Sequence, residues 1–161
     1  MSAIDNSFKD AMSEIPTSVS VVSLIEHKNI FGCTISSLVS LDVNVESAKI
    51  LFVLKKESLV GNKIISNRNF SVNVLAESQQ HYARYFSQER KPDVIEDNKW
   101  HIENLIYAVL KNSKVVFKCE LLSVIESYSA NVFVGKVLII KNSLESSPLI
   151  YSSRKFTGIK D

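Results

Sequence analysis

The chain has 161 residues, of which 45% are hydrophobic and 22% charged, and this composition predicts one globular domain over residues 1–161. Nineteen Lys and Arg residues against seventeen Asp and Glu leave a net charge of +2, too small for a dedicated nucleic-acid or membrane-surface binder. The apolar runs are far shorter than the ~18 residues that cross a bilayer. We therefore expect neither a nucleic acid nor a membrane as a partner.

The amino-terminal segment and the cysteines predict a cytoplasmic protein. Asp5 and Asp10 stand where a signal peptide needs a basic start and an unbroken apolar centre. Cys33 and Cys119 form no CxxC motif, and the three histidines lack the spacing of a zinc site. We expect two free thiols and no metal.

The first half of the chain is predicted to hold two helices and four strands. Apolar residues at helical spacing from Phe8 to Ile15 predict the first helix, which Pro16 ends. Runs of β-branched residues favour strands, and Ser58 is a typical residue before a helix start. The predicted elements are a helix over 5–14, strands at 17–25 and 30–36 that form a hairpin, a strand at 48–55, a helix over 58–66 and a strand at 70–75.

The second half is predicted to hold a helix over 78–86, a polar loop at 87–99 and a long hairpin of strands at 115–125 and 131–140. Six or seven mostly antiparallel strands result, with three short helices. Such a sheet must pair with another sheet or close on itself to hide its edges. We therefore expect a mainly β, antiparallel, Greek-key-like small barrel.

Hydroxyl side chains are concentrated where the strand at 30–36 ends. Thr34, Ser36, Ser37 and Ser40 lie within seven residues of one another. Such hydroxyls suit the polar edge of a flat heterocycle or a phosphate. A polar strand end that satisfies its own hydrogen bonds is the alternative, and composition leaves both open.

Two further groups have the chemistry of an anion site. Lys56 precedes the helix that Ser58 opens, and a helix start beside a cation attracts anions. The helix over 78–86 ends at Phe86 and Ser87, and an aromatic ring with basic neighbours can hold a stacked ring and its phosphate. These basic neighbours are Arg84, Arg90 and Lys91. An ordinary helix cap and a solvated basic loop remain the alternatives.

The order of these groups resembles the flavin reductase-like family, from Phe8 to Phe156. The matching segments, in chain order, are PTSVSVV at 16–22, GCTISSLVS at 32–40, Lys56 with Ser58, FSVNVL at 70–75, Gln79 with Phe86 and Ser87, and PLIYSSRKF at 148–156. Each segment is loosely defined, but their occurrence in this order is much more specific.

The resemblance implies an FMN-binding split β-barrel that works as an NAD(P)H-dependent flavin reductase. NADH or NADPH would reduce FMN or FAD, and the reduced flavin would supply a separate monooxygenase. The resemblance also implies a homodimer. Because the flavin carries the hydride chemistry, no catalytic acid or base is expected. In this chain Thr34, Ser36, Ser37 and Ser40 would line the flavin ring and ribityl chain, Lys56 and Ser58 would lie near the phosphate, and Phe86 and Ser87 would border the pocket.

One departure from the family motivates an alternative function. Many members carry Gly-Asp-His shortly before the glycine of the last long strand, with the histidine near the nicotinamide. Here Tyr128, Ser129 and Ala130 occupy those positions, so the histidine is absent. A non-enzymatic FMN-binding protein on the same fold is therefore the first alternative. A β-barrel interaction module, whose hydroxyl and lysine groups only face solvent, is the second.

Overall fold

A computed structural model of the chain describes residues 3–44, 47–88, 92–94, 97–143 and 145–159. The described helices are α1 (Ala3–Ser13), α2 (Leu59–Asn67) and α3 (Gln80–Phe86), and a single 3₁₀ turn, Glu77–Gln79, leads into α3. The strands are β1 (Thr17–Ser18), β2 (Ser20–Glu26), β3 (Asn29–Ile35), β4 (Val39–Val43), β5 (Ala48–Lys55), β6 (Asn69–Val74), β7 (Asp93–Val94), β8 (Trp100–Glu103), β9 (Tyr107–Leu110), β10 (Val115–Glu126), β11 (Ala130–Asn142), β12 (Ile150–Ser152) and β13 (Lys155–Thr157).

One antiparallel sheet of eight strands forms most of the molecule. Its order is β4-β5-β11-β10-β6-β2-β3-β7. Among the strands described here, no pairing joins β4 to β7, so the hydrogen-bonded order stays open. The predicted mainly β antiparallel fold with a few short helices is confirmed. None of the described helices is both long and apolar enough to span a membrane.

Two apolar cores lie on opposite faces of β2. Val22 and Leu24 pack with Phe52 and Phe70 in the first core. Val19 and Val21 pack in the second, where the β8–β9 hairpin contributes Trp100 and other apolar residues. Because both faces of β2 are covered, every residue from Ser20 to Ile25 is buried, including the polar residues Ser20 and Ser23.

Asn73 of β6 links β2 to β9 within the second core. The sequence pattern sets it on the opposite face of β6 from Val72, and β9 covers that face. The Asn73 Nδ2 group donates to the Val21 carbonyl at 3.0 Å and to Ser23 Oγ at 2.9 Å. Its Oδ1 atom accepts from the Leu110 backbone N–H at 2.9 Å. The buried amide therefore has partners on both β2 and β9, as a buried polar group requires.

Most predicted elements are confirmed within one or two residues, including the strand at 48–55, the helix that Ser58 caps and the long hairpin. Four differences stand out. The predicted strand at 17–25 is divided at Val19 into β1, which pairs with β12, and β2, which belongs to the main sheet. The predicted helix over 78–86 begins with the 3₁₀ turn. The strand β4 and the β8–β9 and β12–β13 pairs were not predicted, and the predicted loop at 87–99 contains β7. Residues 89–91 and 95–96 of that loop lie outside the described residues, and with them the predicted basic residues Arg90 and Lys91.

Candidate functional site

A cavity of about 470 Å³ opens between β3 and β5, at the start of α2 and the end of α3. Cavities of this size are typical of small-molecule sites. β3 and β5 are not neighbours in the sheet, so its curvature brings them to opposite walls of one space. The cavity is therefore built from three separated stretches of the chain: β3, the junction of β5 with α2, and the stretch from the end of α3 to Asp93.

The hydroxyl of Thr34 connects β3 to α3. Thr34 Oγ1 donates a hydrogen bond of 2.8 Å to the Ala83 carbonyl. This carbonyl belongs to the last turn of α3, where the helix lacks internal donors for its final carbonyl groups. The bond holds the end of α3, with Phe86, against the β3 wall.

Gly32 allows the ring of Phe86 to lie directly against β3. A Cβ atom at Gly32 would lie 2.9 Å from Phe86 Cδ1 and 3.0 Å from Cε1. Such a contact is too close for a real Cβ atom, so a larger residue would displace the ring. Phe86 is buried, packs at 5.6 Å between ring centroids from Trp100, and forms part of the cavity wall.

The start of α2 forms the opposite end of the cavity. Ser58 Oγ accepts from the Gly61 N–H at 3.2 Å, so Ser58 is the N-cap that the sequence predicts. The preceding N–H groups of the first helical turn have no partner within the helix and carry partial positive charge. Lys55 and Glu57 line the same end, which places one charge of each sign there.

Cys33 is a partly buried thiol in the β3 wall. Burial raises the pKa of the Cys33 thiol, and the nearby Lys55 charge partly opposes that rise. The second free thiol, Cys119, lies in the first core, where burial raises its pKa to about 12. Both are therefore neutral thiols near neutral pH.

Four of the eight predicted site residues line this cavity: Thr34, Ser58, Phe86 and Ser87. The other four, Ser36, Ser37, Ser40 and Lys56, do not. Ser37 Oγ instead accepts from the Val53 N–H at 2.9 Å and lies 3.3 Å from the Val53 carbonyl, so it joins the chain after β3 to β5. Ser36 and Ser40 are exposed.

Among the described residues, the lysine that lines the cavity is Lys55, which sequence reasoning did not select. Lys56 follows the end of the strand. Its ammonium group lies 3.0 Å from Glu126 Oε2, and its backbone N–H donates to the Ser129 carbonyl. The predicted strand at 48–55 ends at Lys55, shortly before the predicted helix start, and this position was the signal that could have identified Lys55.

Two comparisons with known proteins relate the chain to flavin reductases. The profile of the flavin reductase like domain matches residues 12–160. The reductase subunit HsaB of a flavin-dependent monooxygenase from Rhodococcus jostii (strain RHA1) is 29% identical over 153 residues, which cover 95% of this chain and 77% of that protein.

Solved structures show the same fold. BorF, the flavin reductase component of a bacterial two-component tryptophan halogenase, aligns with a TM-score of 0.88 at 24% identity, covering 98% of this chain and 99% of that one. The NADH:FAD oxidoreductase SgcE6 of Streptomyces globisporus C-1027, in complex with NAD and FAD fragments, aligns with a TM-score of 0.86 at 18% identity, covering 97% and 93%. The profile match extends over nearly the whole described chain, and with it the predicted relationship is confirmed: this protein belongs to the flavin reductase-like domain family.

Proposed function

We propose that this protein is an NAD(P)H-dependent flavin reductase that binds FMN or FAD in the cavity between β3 and β5. The observation that carries the proposal is the convergence of Thr34, Ser58, Phe86 and Ser87 on one cavity. These residues come from three separate segments, each of which the family resemblance selected. A bound flavin would supply the hydride-accepting chemistry.

The residues of the cavity fit the two halves of a flavin. Apolar side chains such as Val53, Leu54 and Phe86 line the space between the strands, and they suit a flat ring system. The α2 start and the Lys55 ammonium group suit an anionic tail. We assign Lys55, rather than Lys56, to the phosphate, because the Lys56 ammonium group is already paired with Glu126.

The protein's own contribution to hydride transfer is to hold two rings in contact and exclude water. No side chain has to gain or lose a proton in that step. The absence of the family histidine at Ala130 therefore bears on nicotinamide binding more than on the chemistry. Ala130 begins β11 and pairs with Lys55 in the sheet register, so its position adjoins the cavity wall.

We also propose that the protein is a homodimer, because one sheet edge is apolar and uncovered. All five residues of β4 are exposed, and among the described strands β4 pairs with β5 alone. The register continues from Val43 to Ala48 and from Ala48 to Val137, so the exposed end of β11 begins one strand away from β4, across the first residue of β5. The large apolar residues of this surface, named here the β4–β11 face, are Val39, Leu41, Val43, Leu138, Ile139 and Ile140.

A second copy of the chain is the occupant that suits this face. Exposed edge strands invite pairing with other chains unless they are protected, and contiguous apolar surface of this kind marks an interface. The face lies at the β4 edge, and β5 joins it to the wall of the cavity.

A cytoplasmic location and a monooxygenase that receives the reduced flavin complete the proposal. The two free cysteines and the monooxygenase reductase subunit among the relatives support these two points.

The test is to measure flavin binding and nicotinamide oxidation separately. We expect titrated FMN or FAD to bind, and NADH or NADPH oxidation to require added flavin. Bound flavin without nicotinamide oxidation would favour a non-enzymatic flavin-binding protein. No flavin binding at all would contradict the proposal and favour an interaction module.

A further inference from the structure

Asp93 is a buried carboxylate in the wall of the cavity. Its side chain is only 6% exposed, and the residue lines the cavity beside Phe86 and Ser87. Burial of a carboxylate is costly unless donors surround it. The sequence motifs of the family resemblance do not include this residue, and nothing in the hydride chemistry requires it.

Three donors surround the Asp93 carboxylate. The Tyr85 hydroxyl donates to Oδ1 at 2.7 Å, and the Trp100 indole N–H donates to Oδ2 at 2.9 Å. The Lys99 ammonium group lies 3.4 Å from Oδ2. Burial opposes the charge of Lys99, but Asp97, Asp93 and Tyr85 outweigh it and raise the Lys99 pKa, so this cation remains to balance the carboxylate.

These contacts connect three elements that form the wall. Tyr85 belongs to α3, Trp100 begins β8, and Asp93 itself pairs with Ile30 of β3 through β7. The carboxylate therefore links the end of α3 and the start of β8 to β7, the edge strand of the main sheet. The backbone of the short β7 adds two register pairs with β3.

The two neutral donors also pack against the Phe86 ring. The Phe86 ring lies 4.7 Å from the Tyr85 ring, in an edge-on arrangement, and 5.6 Å from the Trp100 ring. Its remaining side rests against Gly32 of β3. The position of Phe86, and with it the shape of this wall, depends on where Asp93 holds Tyr85 and Trp100.

We propose that Asp93 is a positioning residue, which holds Tyr85 and Trp100 against Phe86 and thereby sets the shape of the flavin cavity. The proposal rests on the proposed function, because it takes the cavity to be the flavin site. It does not require Asp93 to contact the flavin. Its effect is on how tightly flavin of any kind is held, with or without a phosphate.

Substitution by asparagine is a sharp test, because it preserves size but not hydrogen-bonding capacity. An ionised carboxylate accepts from both sides, whereas an amide presents N–H groups on one side. The Trp100 indole can only donate, so the amide must turn its oxygen to Trp100 and its N–H groups to Tyr85. The Tyr85 hydroxyl then has to accept instead of donate, and the negative charge beside Lys99 is lost. We expect Asp93→Asn to weaken riboflavin and FMN binding equally, by about tenfold or more.

Asp97→Asn is the matched control. The Asp97 carboxylate also pairs with Lys99, but it does not line the cavity. Trp100 is the only tryptophan of the chain, so its fluorescence reports directly on the network. Because the Asp97 carboxylate acts on Asp93 through Lys99, we expect Asp97→Asn to change the Trp100 emission and the flavin Kd much less than Asp93→Asn does. Equal changes in the two variants would contradict the proposal.

The outcomes separate this proposal from the proposed function. If the wild-type protein binds no flavin, the proposed function fails, and the positioning role falls with it. If the wild-type protein binds flavin and Asp93→Asn binds it equally well while only the melting temperature falls, the carboxylate is merely structural and the positioning role alone is overturned. Should Asp93→Asn not fold, Tyr85→Phe takes its place, since it removes one donor and keeps the ring. We expect Tyr85→Phe to weaken riboflavin binding severalfold, and an unchanged Kd would contradict the proposal.

Discussion

The Lys56 ammonium group lies 3.0 Å from Glu126 Oε2, so it connects the turn after β5 to the end of β10. Both side chains are largely exposed, with 47% and 70% of their surface accessible. Exposed pairs of this kind contribute little to stability. The pair matters because it holds the Lys56 ammonium group beside Glu126, away from the cavity that the adjacent Lys55 lines.

The first prediction therefore compares two neighbouring lysines. Lys55→Ala should weaken FMN binding about three- to tenfold and leave riboflavin binding nearly unchanged, because only FMN offers a phosphate for a charge-assisted hydrogen bond. Lys56→Ala is the control and should change neither affinity. Titration of both flavins by fluorescence quenching measures this. A loss of FMN affinity in Lys56→Ala alone would contradict the assignment to Lys55.

A second prediction concerns Glu57, which lines the cavity beside Lys55, at the end where we place the flavin phosphate. Its negative charge opposes a phosphate, which carries about −1.5 to −2 charges at pH 7. Glu57→Gln should strengthen FMN binding by about two- to fivefold at low salt, with a smaller gain at high salt because ions screen the interaction. Riboflavin binding should stay constant. Equal gains for both flavins would mean that Glu57 acts by packing rather than by charge.

The outcomes show where local sequence signals suffice. Ser58 and the apolar run at 48–55 identify α2 and β5 because capping and strand propensity are local. The β8–β9 hairpin lacks such a signal. In its turn Asn104 and Leu105 have φ values of 53° and 55°, a conformation that hairpins usually adopt with the sequence Asn-Gly. Because leucine stands where glycine is usual, the sequence does not predict this turn.

Among the predicted site residues, too, local signals identified some correctly and long-range contacts decided the others. Thr34 lies within β3, the strand that forms one wall of the cavity, so its place there follows from the local strand prediction. Ser37 comes after the strand, and its hydroxyl is taken by the Val53 backbone of a strand that follows it by sixteen residues. Such a long-range hydrogen bond depends on how the sheet curves, and composition carries no information about it. Hydroxyl density alone therefore selected too many residues.

The third prediction uses the two thiols as probes. Iodoacetamide should alkylate Cys33 more slowly than a free cysteine, since burial raises its pKa and leaves less thiolate. Its rate should rise with pH between 7 and 9, as the thiolate fraction grows. Saturating FMN should protect Cys33, and Cys119 should remain unlabelled in the native protein. Peptide mass spectrometry measures both sites, and unprotected Cys33 in an FMN-saturated sample would exclude this cavity.

The fourth prediction concerns oligomeric state. Val43 is 74% exposed in the β4–β11 face, and Val43→Glu should convert a dimer into monomers because a buried unpaired charge is costly. Leu105→Glu is the control, since Leu105 is 78% exposed but lies in the β8–β9 turn. Light scattering coupled to gel filtration gives the mass of each variant. A dimer that survives Val43→Glu, or a wild-type monomer, would overturn the assignment of this face.

The last prediction separates the cavity wall from the core with two glycine substitutions. Neither glycine has a positive φ, so an alanine at either position is opposed by space alone. At Gly32 the new Cβ would lie 2.9 Å from Phe86 Cδ1, and at Gly135 it would lie 2.6 Å from Phe70 Cζ. Overpacking of this kind costs about 1–3 kcal/mol of unfolding free energy. Both variants should therefore lose stability in urea denaturation.

Only Gly32→Ala should also lose flavin. Phe86 forms part of the cavity wall, whereas Phe70 is fully buried in the first core and does not line the cavity. A displaced Phe86 ring would enter or distort the flavin site, so we expect FMN and riboflavin affinities to fall about tenfold together. Gly135→Ala should keep wild-type affinities at a temperature where it remains folded. If Gly135→Ala loses flavin as strongly as Gly32→Ala does, the affinity follows global stability and the Phe86 wall has no particular role.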